Sequence, residues 1–100
     1  MLIVLAKAKL GEGALDAMHG TIAEMVAASN AEDGCLAYSF TTDMLDPTVL
    51  HIVKKWRDET ALAAHFATSH MAAFGAAIAG ADFTIIEAIK YHADDGAPVM

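Results

Sequence analysis

Periodicity, punctuation and length together predict an α+β fold with four strands and two helical regions in the order β-α-β-β-α-β. Apolar residues recur at every second position in four stretches, and at three- and four-residue steps in the regions between them. Glycines, Asp33-Gly34 and Asp46-Pro47 fall at the junctions. A chain of 100 residues is the size of one domain. The expected outcome is the ferredoxin-like arrangement, an antiparallel four-stranded sheet with its helices on one face.

The first strand is predicted over residues 2–10, where Lys7 and Lys9 alternate with Ala6, Ala8 and Leu10, and Gly11-Glu12-Gly13 breaks it. From Ala14 the period changes. Leu15, Met18, Ile22, Met25, Val26 and Ser29 form one buried stripe of an amphipathic helix, with Asp16 favoured by the dipole in its first turn. Gly34, able to adopt a left-handed backbone, is expected to terminate that helix. Cys35 to Thr42 alternates again, with Leu36, Tyr38 and Phe40 on one face. A turn at Asp46-Pro47-Thr48 makes a hairpin with the third strand, Val49 to Trp56. That strand places Leu50, Ile52, Lys54 and Trp56 on one side, and Val49, His51, Val53 and Lys55 on the other.

Asp58 is the expected N-cap of a helix whose Leu62 and Phe66 face inward. Ser69 is expected to cap a second short helix carrying Met71, Phe74 and Ile78, ended by Gly80. The fourth strand, Phe83 to Tyr91, sets Phe83, Ile85, Glu87, Ile89 and Tyr91 against Thr84, Ile86, Ala88 and Lys90. Residues 1–93 thus form the domain. Residues 94–100 form an acidic tail with Gly and Pro, expected to be mobile.

In a lone domain of this kind the sheet face away from the helices meets water and reads polar. Here both faces carry large apolar side chains in strands 1, 3 and 4. A second copy packed sheet on sheet is the simplest cover, so a homodimer through the sheet face is expected. The hydrophobic fraction, 56%, exceeds the usual range of about 45–50% in the same direction.

A net charge of −7 argues against nucleic acid and against an anionic membrane as partners, since both demand a basic face. No apolar run approaches the roughly 20 residues of a membrane helix, and no signal peptide is read, so a cytoplasmic location is expected. The lone Cys35 cannot form an intrachain disulfide and reads as a small buried apolar residue.

Three segments together resemble a known family. They are Ala31-Glu32-Asp33-Gly34-Cys35-Leu36-Ala37-Tyr38, Trp56 at the end of strand 3, and Ala64-His65-Phe66-Ala67-Thr68-Ser69-His70-Met71-Ala72-Ala73-Phe74. Their order and spacing along residues 1–92 resemble the antibiotic biosynthesis monooxygenase (ABM) domain, a group of dimeric α+β barrels. The resemblance implies oxygenation of electron-rich aromatics such as hydroquinones or anthrones by O2, in a cavity between sheet and helices, with no cofactor, metal or flavin. The chain departs from the family at several places. Asp33 stands where many relatives have Pro. The haem-degrading branch relies on an Asn, a Trp and a His at places that here hold Ala6 or Lys7, His65 and Gly75. The polyketide-tailoring branch has an Asn four residues before the strand 3 Trp, and here that residue is Ile52.

His65 and His70 are the expected catalytic bases, because imidazole titrates near neutrality. His65 lies beside the buried stripe, and His70 lies where a helix dipole favours a neutral imidazole. They are five residues apart, about 140° around a continuous helix. A helical metal pair prefers i, i+4, and no carboxylate stands in register, so no metal site is expected. Trp56, the third catalytic candidate, can wall a cavity and donate from its indole, or simply pack under a helix. Tyr38, Phe66 and Phe74 are candidates for contact with a small aromatic substrate. His51 is expected at a surface or interface, and His19 and His92 at the periphery. Glu87, between Ile85 and Ile89, would need a partner such as Lys7, Lys9 or Lys54 if buried. A non-catalytic module holding a small hydrophobic metabolite, and an isomerase or lyase using one His as base, fit the same residues.

Overall fold

A computed structural model describes all residues from Met1 to Met100. Its elements are β1 (Leu2–Leu10), α1 (Ala14–Asn30), β2 (Cys35–Thr42), β3 (Val49–Trp56), α2 (Glu59–Phe66), α3 (Ser69–Ala79) and β4 (Phe83–His92). The strands form one antiparallel sheet in the order β2-β3-β1-β4, the ferredoxin-like topology. The helices pack on one face. Residues 94–100 form no helix or strand. No single helix is long and apolar enough to cross a membrane.

α1 buries Ala14, Met18, Ile22, Met25 and Ser29, a stripe at three- and four-residue spacing, against the sheet. It ends earlier than Gly34. Asn30 Nδ2 donates to Val26 O (2.9 Å) and Tyr38 O (3.0 Å), tying the last turn to β2. Gly34 instead stands in the turn directly before β2, with φ +83. A Cβ there would lie 2.6 Å from the Ala61 Cβ, so the turn before β2 and the first turn of α2 touch only because residue 34 is glycine.

Two bulges change the predicted faces. In β2 the register skips Leu36 between Cys35 and Ala37, and Leu36 is 57% exposed instead of sharing the inner face with Tyr38 and Phe40. In β4 Ala8 of β1 pairs with Ile85 while Lys7 pairs with Glu87, which leaves Ile86 as the extra residue. The single alternation expected for β4 is therefore split. Ala88 and Lys90 share the helix side with Ala6 and Val4, whereas Glu87, Ile89 and Tyr91 share the open side with Lys7, Leu5 and Ile3. Glu87 is exposed there, opposite Lys7.

Asp58 caps α2 as expected, accepting from Ala61 N (2.8 Å). Thr68, one residue before the expected Ser69, caps α3 by accepting from Met71 N (3.2 Å). The inward face of α2 is Ala61, Leu62 and His65, not Leu62 and Phe66. With only eight residues, α2 turns a narrow face to the sheet. His65 takes the i+3 position there, and Phe66 is left 61% exposed.

The core lies between sheet and helices and holds Leu2, Leu10, Met18, Met25, Tyr38, Leu50, Ile52, Trp56, Leu62, Phe74 and Phe83. The opposite face is uncovered. Val53, Leu5 and Ile89 lie abreast across β3, β1 and β4, and Lys55, Ile3 and Tyr91 form the neighbouring row.

Candidate active site

The inner side of β3 ends in Lys54 and Trp56, and α2 brings Leu62 and His65 over them. Lys54, Leu62 and His65, together with Val4, Phe66, Ala88, Ile89 and Lys90, line a cleft of about 260 Å³. Trp56 is fully buried and His65 is 1% exposed. Their rings lie 4.7 Å apart, and the Tyr38 ring is 5.5 Å from His65 and 6.2 Å from Trp56.

Three buried polar atoms in this aromatic group have no hydrogen-bond partner: Tyr38 Oη, Trp56 Nε1 and His65 Nε2. Buried polar groups are nearly always paired, so such orphans mark a place built to meet something else. Burial pushes the Tyr38 phenol up to about 12. Ser29, the polar neighbour that opposes this shift, gives its own hydrogen to Met25 Sδ (3.6 Å).

The other nitrogen of His65 is held firmly. Its Nδ1 lies 2.7 Å from Glu32 Oε2, and His70 Nε2 lies 2.8 Å from the same oxygen. A carboxylate only accepts, so neutral His65 carries its proton on Nδ1 and its lone pair on the orphaned Nε2. Burial lowers the His65 pKa, Glu32 opposes the shift, and the nearby Lys54 and His70 add to it. The result is an oriented, neutral imidazole with an unused lone pair, which is the state a general base needs.

Lys54 supplies the complementary charge. Its pKa is lowered by burial, it forms no ion pair, and its Nζ lies 5.1 Å from the centroid of the Tyr38 ring. Lys90, on the same cleft, is bound to Glu59 (2.9 Å). Lys54 is therefore available to an anion in the cleft.

The structure brings His65, Trp56 and Tyr38 together, joins His70 to them through Glu32, and sets Phe66 on the rim. Phe74 lies apart in the core, beside a separate cleft of about 270 Å³ that it shares with the other side of His70. His19, expected at the periphery, is exposed and edges an apolar cavity of about 400 Å³ between α1 and the hairpin. That cavity lacks an orphaned donor or an unpaired cation. His51 pairs with Asp43 (2.7 Å) near the open face, and His92 reaches Glu59 (3.4 Å).

The residues missed by the sequence are Glu32 and Lys54. No carboxylate was expected near the histidines, because that expectation considered one helix. Glu32 arrives from the α1–β2 turn, 33 residues before His65. Lys54 was visible on the inner face of β3 by alternation, but its lack of a counter-ion depends on the packing around it.

The family model for the antibiotic biosynthesis monooxygenases matches residues 1–77. Among solved structures, a Deinococcus radiodurans protein provisionally assigned as an antibiotic biosynthesis monooxygenase superposes with a TM-score of 0.91 at 21% identity, covering 100% of this chain and 99% of that one. An antibiotic biosynthesis monooxygenase structure gives 0.81 at 29% identity, covering 94% and 99%. PA3566 from Pseudomonas aeruginosa gives 0.77 at 26% identity, covering 96% and 94%. No curated protein matches the chain significantly. With its fold shared across these structures and the family model spanning most of its length, the chain belongs to the antibiotic biosynthesis monooxygenase family and is an enzyme of oxidoreductase type.

Proposed function

We propose that this protein oxygenates a small electron-rich aromatic, of the hydroquinone or anthrone class, with O2 in the cleft between α2 and the sheet. The observation that carries the reading is the unpartnered Nε2 of His65, beside the unpaired Lys54. His65 removes the substrate's acidic proton. Lys54, on the cleft wall, stabilises the resulting anion. The anion gives one electron to O2, the two radicals combine into a C–O bond, and a hydroperoxide forms. For an anthrone CH2, loss of the second C–H proton and cleavage of the O–O bond release water and leave the quinone carbonyl. The balance is one O2 consumed, one oxygen atom in product and one in water.

The test is oxygen uptake by chelator-treated protein against hydroquinones and anthrones. His65→Gln is expected to lower the rate by roughly 10²–10⁴, the range of a lost general base. Uptake equal to spontaneous oxidation in a folded wild-type protein overturns the reading.

A second reading has its own support. Ile52, where the tailoring branch has Asn, is 2% exposed and offers the cleft no polar atom. On this reading the protein holds a hydrophobic metabolite without turning it over, and saturable binding with no O2 uptake identifies it.

The active form is proposed to be a homodimer through the rows Val53–Leu5–Ile89 and Lys55–Ile3–Tyr91. Leu5→Glu is expected to convert a sedimenting dimer to monomer. An unchanged mass in that variant excludes this face.

A further inference from the structure

We propose that Glu32, His65 and His70 form a binding site for a divalent transition-metal ion of the zinc class. The site lies where the α1–β2 turn meets α2 and the start of α3. One ligand atom from each residue can be chosen so that all three lie within 4.8 Å of one another. His65 Nδ1 and His70 Nε2 converge on a single oxygen, Glu32 Oε2, at 2.7 and 2.8 Å.

Two imidazoles and a carboxylate are the donor set that zinc, cobalt and iron share. With metal–ligand bonds of roughly 2.0–2.2 Å, donors around a tetrahedral ion stand about 3.3 Å apart. Each nitrogen must move out from Glu32 Oε2 by about half an ångström to admit an ion of that size, and the three donors already stand within 4.8 Å of one another. The elements allow it. His65 is fixed at 1% side-chain exposure, whereas Glu32 (13%) and His70 (26%) reach the surface and offer a route in and an open fourth position for water.

The chemistry of the imidazoles is compatible. His65 would bind through Nδ1 and carry its proton on Nε2 instead. The other histidine–carboxylate pairs do not make such a set, because His51 with Asp43 and His92 with Glu59 contribute one imidazole each. The metal site does not depend on turnover in the cleft, and an occupied site would take His65 out of use as a base, because its Nε2 then carries the proton.

Chelator-treated protein titrated with Co2+ is expected to bind one equivalent and to develop visible bands of low-coordinate cobalt. Zn2+ should abolish those bands by competition. Glu32→Gln and His70→Ala, each checked for folding by circular dichroism, should weaken binding by at least the roughly 10–100-fold that loss of an outer-shell partner costs. Nitrogen NMR of labelled histidines in wild-type protein loaded with Cd2+ needs no variant, and should move His65 Nδ1 and His70 Nε2. Three results overturn the site: no saturable binding by wild type, equal binding by both folded variants, or perturbation confined to His51 or His92.

Discussion

Two histidine–carboxylate pairs in this molecule have the same bond length and opposite surroundings. His51 Nε2 and Asp43 Oδ2 are 2.7 Å apart near the open face, with the side chains 40% and 33% exposed. His65 Nδ1 and Glu32 Oε2 are also 2.7 Å apart, at 1% and 13%. The bond therefore does not distinguish a catalytic imidazole from a structural one. In the inner pair, burial disfavours the imidazolium, the second nitrogen has no partner, and an unpaired ammonium shares the cleft. In the outer pair the bond's main effect is on the acid: hydrogen bonds from His51 and from the Leu45 amide hold the Asp43 carboxyl below its ordinary range.

The sharpest test of this contrast is the same substitution in both pairs. Where His65→Gln removes two or more orders of magnitude of O2 uptake, His51→Gln should leave the rate within about twofold, because no reacting group depends on it. Equal losses would erase the distinction.

A smaller effect is expected from the acids. Glu32→Gln lets the amide donate to Nδ1, which moves the His65 proton to Nε2 and removes the lone pair from the cleft. The expected result is a tenfold or greater fall in kcat with little change in KM, on the order of the cost of losing an orienting partner. Asp43→Asn should change neither.

The third test is pH. A histidine whose folded pKa is lowered contributes stability that is complete above its unfolded value, about 6.5, and lost as pH falls through the folded value. The urea midpoint should therefore drop below pH 6.5, and His65→Gln should flatten that part of the curve. Asp43 acts lower down. Its stabilisation is present above about pH 4 and disappears as the pH falls through its depressed value, so Asp43→Asn should alter only that acid limb.

The smallest effect concerns the helix that carries His65. Asp58→Ala removes the α2 cap and should cost about 1 kcal/mol, read from urea unfolding. A larger fall in activity than in stability would show that the cap also positions His65.

Much of the fold was legible because strand and helix periods differ. Every strand, the α1 stripe and both helical pieces stand within a residue or two of where alternation and turn chemistry put them. Parity along a strand survives only until a bulge, and nothing in the apolar residues Leu36 or Ile86 announces one. Of the site, His65, Trp56 and Tyr38 were readable from chemistry and position, and His70 from its helix start. Glu32 was not, since its partners lie 33 and 38 residues away and contact at that distance is set by packing. Phe66 misled for a related reason: hydrophobicity argued for the inward position that a hydrogen-bonded histidine holds.

The bulge at Ile86 also bears on how such a cleft can diverge. As built, the extra residue turns Ala88 and Lys90 toward α2 and sends Glu87 to the other side. Taken into the ladder opposite Lys7, Ile86 would push the rest of β4 one place along and put Glu87 on the helix side, whereas deleting Ile86 would leave every pair as it is. Within this architecture, the charge that a substrate meets is set by whether one residue of β4 stays out of the ladder, with no change in the chemistry of any side chain.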